Sequence, residues 1–161
     1  MILYNVVSSY QGGRMVKIIF LDIDGVLTSL KSANQFGNYK TFLPSSVEAL
    51  NHILKVSGAQ IVISSAWRIG RTIEELRTIF NDQGIDGSKI IGLTPILRDK
   101  RGHDIDSWLK TARLPVKSFV IIDDNSDMEH HIGRLVQTTF EDGLEMSHAE
   151  KAIAMLLEST H

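Results

Sequence analysis

The segment Asp22-Ile23-Asp24-Gly25 sets two carboxylates two positions apart, at the end of the apolar run from Val16 to Leu21. The run reads as a buried strand, so both acids stand at its mouth, just before a glycine break. Like charges there are costly, because they repel and because burial disfavours ionisation. A cation or a chemical role would explain the pair. Taken alone, it is equally well explained by a strand-end Asp and an Asp-Gly turn accepting local hydrogen bonds.

The other strand ends decide between these readings. A second apolar run, Ala59 to Ile63, ends in Ser64-Ser65-Ala66-Trp67-Arg68. A fourth, Val116 to Ile122, ends in Asp123-Asp124-Asn125-Ser126-Asp127, and the loop before it carries Lys100-Arg101. In a parallel sheet all of these converge on one edge. Several carboxylates with no Cys and no suitably paired His describe a hard-cation site, with Mg²⁺ as the expected ion. A divalent ion also removes the repulsion between the acids. A carboxylate nucleophile, a second acid, a hydroxyl donor and a cationic side chain are the parts that phosphoryl transfer requires, since positioning and electrostatic stabilisation dominate that chemistry.

The elements that must position these groups follow from periodicity. Ser29 to Phe42 is polar and reads as a loop or small hairpin. Pro44 opens a helix, with Ser45 and Glu48 spaced as a capping box and Val47, Leu50, Ile53 and Leu54 facing inward. Thr72 and Glu75 form a second capping box ahead of the stripe Ile73, Leu76, Ile79 and Phe80. Lys89 to Leu93 is a short third strand, and Arg101 to Lys110 a helix with Ile105, Trp108 and Leu109 inward. Leu135 to Thr138 is a last strand. Ser147 and Glu150 are spaced to cap a closing helix that buries Ala149, Ile153, Leu156 and Leu157. Strands alternating with helices predict an α/β fold: a single-domain, Rossmann-like, mainly parallel sheet with helices on both faces and ligands at the carboxyl ends of the strands.

Composition sets outer bounds. The chain has 161 residues and a net charge of −2, which offers no bulk electrostatic reason to bind nucleic acid or an acidic membrane. It has no cysteine, which excludes disulfides and thiolate metal sites. No apolar run is long enough to span a bilayer, and the first ten residues lack the pattern of a signal peptide. A cytoplasmic location is the default expectation, with no membrane association and no obligate protein partner evident. Residues 1–14 read as a tail or an edge strand, and 15–161 as the functional domain.

With these residues in view, the chain resembles the haloacid dehalogenase-like (HAD) phosphohydrolases. Phe20 to Thr28 matches their first motif, apolar-Asp-x-Asp-Gly-(Val/Thr)-Leu, residue by residue. Ile61-Val62-Ile63-Ser64 matches the second, Lys100 or Arg101 the third, and Val120 to Asp124 with Asp127 the fourth. Ser-Ser-Ala-Trp-Arg at 64–68, Thr94-Pro95, Arg101-Gly102 with Ile105, and Asp123 to Met128 are similar to a narrower group, the small HAD domains associated with RNA-repair proteins. The resemblance implies that Asp22 is the nucleophile, forming an aspartyl-phosphate, and that Asp24 protonates the leaving oxygen and then deprotonates water. It implies Mg²⁺ held by the Asp22 carboxylate, the Asp24 backbone carbonyl and Asp124. Asp123 and Asp127 would support them, orienting the basic residue or binding metal through water. Ser64 would donate to a phosphoryl oxygen. Larger members insert a cap domain, for which this chain has no room, so an open site accessible to a small phosphate ester or a polynucleotide end is expected.

Several assignments stay open at this level. Lys100 is the usual residue type for the third motif, whereas Arg101-Gly102 is in better register with it. Ser65 reads as a helix-opening residue beside a substrate-binding one. Arg68 could clamp a second phosphate or form a surface ion pair. Trp67 reads as packing rather than a stacking platform. His130-His131 reads as part of a solvated helix rather than a metal site, and His52 and His103 as surface or cap residues. Two other classes compete with a phosphatase. A receiver module is disfavoured, because its acidic pair ends the first strand and not a late one. The alternative is a catalytically silent HAD-like binding or scaffold protein.

Overall fold

The computed structural model describes residues 14–158; the reading of residues 1–13 as a tail or edge strand lies outside them. Five strands, β1 (Val16–Leu21), β2 (Gln60–Ile63), β3 (Ile90–Leu93), β4 (Val116–Asp123) and β5 (Leu135–Gln137), form one sheet in the order β3-β2-β1-β4-β5. Every pairing is parallel, as the unbroken apolar runs require of strands covered on both faces. Five α-helices connect them: α1 (Leu30–Phe36), α2 (Pro44–Ser57), α3 (Ile73–Asp82), α4 (Arg101–Thr111) and α5 (Met146–Leu157). This is a Rossmann-like α/β architecture with no inserted domain among the described residues. None of its helices is long and apolar enough to cross a membrane.

Alternation along the strands sorts the core into two layers. Ile19 and Leu21 of β1, with Ile61, Ile63, Val120 and Ile122, pack against α2, α3 and α5 through Leu50, Ile53, Phe80, Ala152 and Leu156. Ile18 and Phe20, with Val62 and Ile121, face Ile105 and Trp108 of α4 on the other side. Phe20 meets the Trp108 ring edge-on at 5.5 Å between centroids, a favourable aromatic geometry.

Register turns this sheet into a platform. Leu21 pairs with Ile63 on one side and Ile122 on the other, Ile63 with Leu93, and Ile122 with Val136. The next residue of each strand therefore belongs to one row: Thr94, Ser64, Asp22, Asp123 and Gln137. The chain order reverses at β1 and β4, so Asp22 and Asp123 occupy the switch point where open α/β sheets bind ligands.

Four local expectations are corrected. Ser29 to Phe42 is no plain loop: Ser29 and Ser32 cap each other reciprocally and open α1, which ends at Gly37 in the left-handed region. Helix α2 has no side-chain cap; Leu43 is its N-cap and Pro44 its first residue. The Leu43 amide is held by the Leu27 carbonyl, and Ser46 turns inward to donate to the Leu144 carbonyl. Helix α5 begins earlier than Ser147 and Glu150 suggest. Leu144 is anchored to the Val26 carbonyl, so the capping box falls on Glu145 and His148. Its inward stripe is accordingly Ala149, Ala152 and Leu156, and Leu157 is exposed. The Thr72–Glu75 capping box of α3 forms as its spacing predicts.

Candidate active site

Asp22 follows β1 directly and is almost fully buried. Its Oδ1 accepts from the Ile23 amide at 2.8 Å, and its Oδ2 lies 3.1 Å from Arg101 Nη1. The same Nη1 donates to Asp123 Oδ2 at 2.5 Å. One guanidinium nitrogen therefore bridges the carboxylates that end β1 and β4. Burial works against the charge of Arg101, but Asp22 and Asp123 more than offset it and hold its pKa above the ordinary value. Burial also raises Asp22, with Arg101 opposing. Asp123 is pushed up to about 8 by burial and by the neighbouring Asp22 charge.

The two candidates for the third motif are placed differently. Arg101 reaches the carboxylates; Lys100 points away, its exposed Nζ 2.6 Å from Glu129 Oε1. The aim of Arg101 comes from Asp127, which caps α4 across the loop. Its Oδ2 accepts from the Arg101 amide and its carbonyl from the Gly102 amide. Gly102 is required there, because a Cβ would collide with the Met128 backbone.

Asp24 is exposed, unlike Asp22. Its Oδ1 accepts from Thr28 Oγ1 at 2.9 Å and from Trp67 Nε1 at 3.0 Å. Thr28 lies within the first motif, so its nearness to Asp24 is a local matter. The Trp67 partnership spans 43 residues and becomes visible only in the fold. Trp67 packs against Phe42 and lies under the Arg71 guanidinium. The turn after Asp24 depends on Gly25, whose φ of +81° suits glycine and whose missing Cβ leaves room for the Asp124 carboxylate. Thr138 Oγ1 donates to the Gly25 carbonyl at 2.6 Å, and Gln137 Nε2 to the Asp124 carbonyl. These two residues at the end of β5 fix the loops bearing the acids, and no sequence motif marks them.

On the opposite side, the Ser64 amide bonds the Leu21 carbonyl, which sets it beside the start of the Asp22 turn. Its hydroxyl is buried and has no hydrogen-bond partner among the described residues. An unpaired buried hydroxyl costs free energy unless something else bonds it. Ser65 opens the short helix Ala66–Arg68, its Oγ accepting from the Trp67 amide. Arg68 is turned inward and forms no surface ion pair. Its five N–H groups meet the carbonyls of Ser64, Ser65, Thr94 and Pro95 and the Asp104 carboxylate. No donor of Arg68 remains for a substrate phosphate, so it is a strut under the β2 and β3 loops.

One carboxylate oxygen from each of Asp22, Asp123 and Asp124 lies within 4.8 Å of the other two. An all-oxygen, multiply anionic donor set fits a hard divalent cation such as Mg²⁺. Asp123 is already tied to Arg101 and to the Asn125 amide. Asp22 and Asp124 are therefore the residues that would hold the ion most directly. Of the two supporting roles expected of Asp127, orienting the basic residue or binding metal through water, its bond to the Arg101 amide corresponds to the first.

The profile of the HAD domain in Swiss Army Knife RNA repair proteins matches residues 18–149. The chain belongs to that HAD family. No curated protein matches it. The match spans all four strand-end clusters, from Asp22 to Asp127, and includes Trp67, Gln137 and Thr138. The HAD core of this family thus coincides with the sheet platform, and α1 is the sole helix between β1 and α2.

Proposed function

We propose that this HAD domain is a Mg²⁺-dependent phosphatase that hydrolyses phosphate monoesters through an aspartyl-phosphate on Asp22. The observation that carries this reading is the bridge from Arg101 to Asp22 and Asp123 at the sheet's switch point, opposite an unpartnered Ser64 hydroxyl. Arg101 and Ser64 would bind the phosphoryl oxygens. Bound Mg²⁺ would supply charge neutralisation between the Asp22 carboxylate and the phosphoryl group.

An Asp22 carboxylate oxygen attacks phosphorus as the ester P–O bond breaks, and the leaving oxygen takes its proton from Asp24. Water then attacks the phosphorus of the aspartyl-phosphate and gives a proton to Asp24. The bond to Asp22 breaks, releasing phosphate and restoring the carboxylate. Exposure suits Asp24 to proton exchange, while Thr28 and Trp67 keep its other oxygen fixed.

The lack of an inserted domain among the described residues and the RNA-repair family together favour nucleic-acid ends or nucleotides as substrates. The test is phosphate release from a panel of small phosphate esters and 3′- and 5′-phosphorylated oligonucleotides, with Mg²⁺ or with chelator. Turnover that requires Mg²⁺ and vanishes in Asp22→Asn is expected, with preference for an oligonucleotide end. Full activity in Asp22→Asn would refute the nucleophile assignment. Preference for a small metabolite would refute the nucleic-acid assignment. Absence of Mg²⁺-dependent turnover across the panel would favour a non-catalytic HAD-like binding protein.

A further inference from the structure

A second cluster of ligating side chains lies away from the phosphoryl site. Asp106 projects from α4 toward the short helix Glu129–Arg134, where it meets His130 and His131. Asp106 Oδ1 is 3.3 Å from His130 Nε2 and 3.2 Å from His131 Nε2. A tetrahedral ion with bonds of about 2.0 Å separates neighbouring ligand atoms by about 3.3 Å. The two edges from Asp106 Oδ1 match that spacing, and all three ligand atoms lie within 4.8 Å of one another.

The fold builds this arrangement from both sides. Gly102 lets α4 approach the backbone at Met128, and Asp106 sits one turn further along the same helix. Glu129 adopts φ of 54°, an uncommon conformation for a residue with a side chain, and leads directly into the two histidines. Their rings are 3.9 Å apart, and His131 also packs edge-on against Phe119. Lys110 Nζ holds the remaining Asp106 oxygen at 2.7 Å, which leaves Oδ1 for the histidines. Sequence spacing alone disfavours a metal at His130-His131, because the third ligand is 24 residues earlier and on another element.

From this geometry we infer that Asp106, His130 and His131 form a second metal site, for a divalent transition ion of the Zn²⁺ type. Two imidazoles and one carboxylate, with one position left for water, suit Zn²⁺ and discriminate against Mg²⁺, which prefers oxygen ligands and octahedral geometry. Bound there, the ion ties α4 to the segment that follows the Asp123–Asp127 loop, independently of the acidic site.

Co²⁺, a spectroscopic substitute for Zn²⁺, tests this with the full chain in excess Mg²⁺. One equivalent of Co²⁺ with tetrahedral visible bands, displaced by Zn²⁺, is expected in the wild type and equally in Asp22→Asn. His130→Gln, His131→Gln and Asp106→Asn should each weaken Co²⁺ binding by more than about tenfold. Circular dichroism of the metal-free variants establishes that they are folded. Loss of the equivalent in Asp22→Asn, or unchanged affinity in the folded histidine variants, would overturn the inference. So would the absence of a tetrahedral spectrum in the wild type.

Discussion

At the residue scale, the adjacent cations Lys100 and Arg101 show what a sequence conveys and what it withholds. A basic residue at the start of α4 is legible in the sequence. Which of the two faces the acids is not, because Lys100 is the extended N-cap and Arg101 the first helical residue, and only the docking of α4 sets their directions. Asp127 and Gly102 make that choice by fixing the first turn of α4. Arg101→Ala should lower kcat by roughly 100-fold or more, as loss of a charge-stabilising donor does, whereas Lys100→Ala should stay within about twofold. Phosphatase kinetics on one ester check both, and a reversed order would return the role to Lys100.

Trp67 sets a finer test at the same scale. Its indole N–H and Thr28 hold one oxygen of Asp24, so its loss should impair proton delivery rather than binding. Trp67→Phe is expected to lower kcat about tenfold with KM nearly unchanged, less than the roughly 100-fold or greater loss from removing Asp24 itself. The deficit should be larger for an alkyl phosphate than for an aryl ester, whose acidic phenol leaves with little help. Equal deficits on the two substrates would mean that Trp67 acts as packing alone.

At the element scale, strands and helices are legible because long apolar runs and 3.6-residue stripes survive any tertiary context. Boundaries are less so. Leu43 and Leu144 are each pinned by a backbone bond from a distant segment, and those anchors override the local capping signals at Ser45 and Ser147. Helix α1 is hidden because its reciprocal cap uses Ser32 in place of the usual Glu or Gln. The unusual α5 cap has a consequence in pH. His148 Nδ1 accepts from the Glu145 amide at 3.0 Å, which only the unprotonated ring can do. Burial lowers the pKa of His148, with Glu145 opposing. The unfolded chain then binds the proton more readily, so this contribution is present above about pH 6.5 and is lost as pH falls through the lower folded pKa. His148→Gln keeps an acceptor at the capping position without a titration. Its melting temperature should fall less steeply than that of the wild type between pH 7 and pH 5; identical slopes would refute the role.

At the scale of the whole molecule, the sheet register places the acids before any ligand arrives. Every strand contributes its next residue to one row, and the consequence is a cluster of carboxylates that one arginine only partly neutralises. Asp124 adds to this: its charge raises the Asp22 pKa, and its side chain occupies the space a Cβ on residue 25 would need. A site arranged this way should sacrifice stability for ion binding. In the presence of chelator, Asp124→Asn should therefore melt no lower than the wild type, because relief of like-charge repulsion offsets whatever the carboxylate itself stabilises. Adding Mg²⁺ should reverse the order. At a hundredfold excess over Kd, binding contributes about 2.7 kcal/mol, a rise of roughly 5–10 °C for a domain of this size. The variant, lacking one of the two most direct candidate ligands, should show little of that rise. Thermal melts of both proteins with chelator and with Mg²⁺ decide the matter. If Asp124→Asn melts well below the wild type in chelator, the carboxylate is a structural strut. If it responds fully to Mg²⁺, the ion is held by other groups.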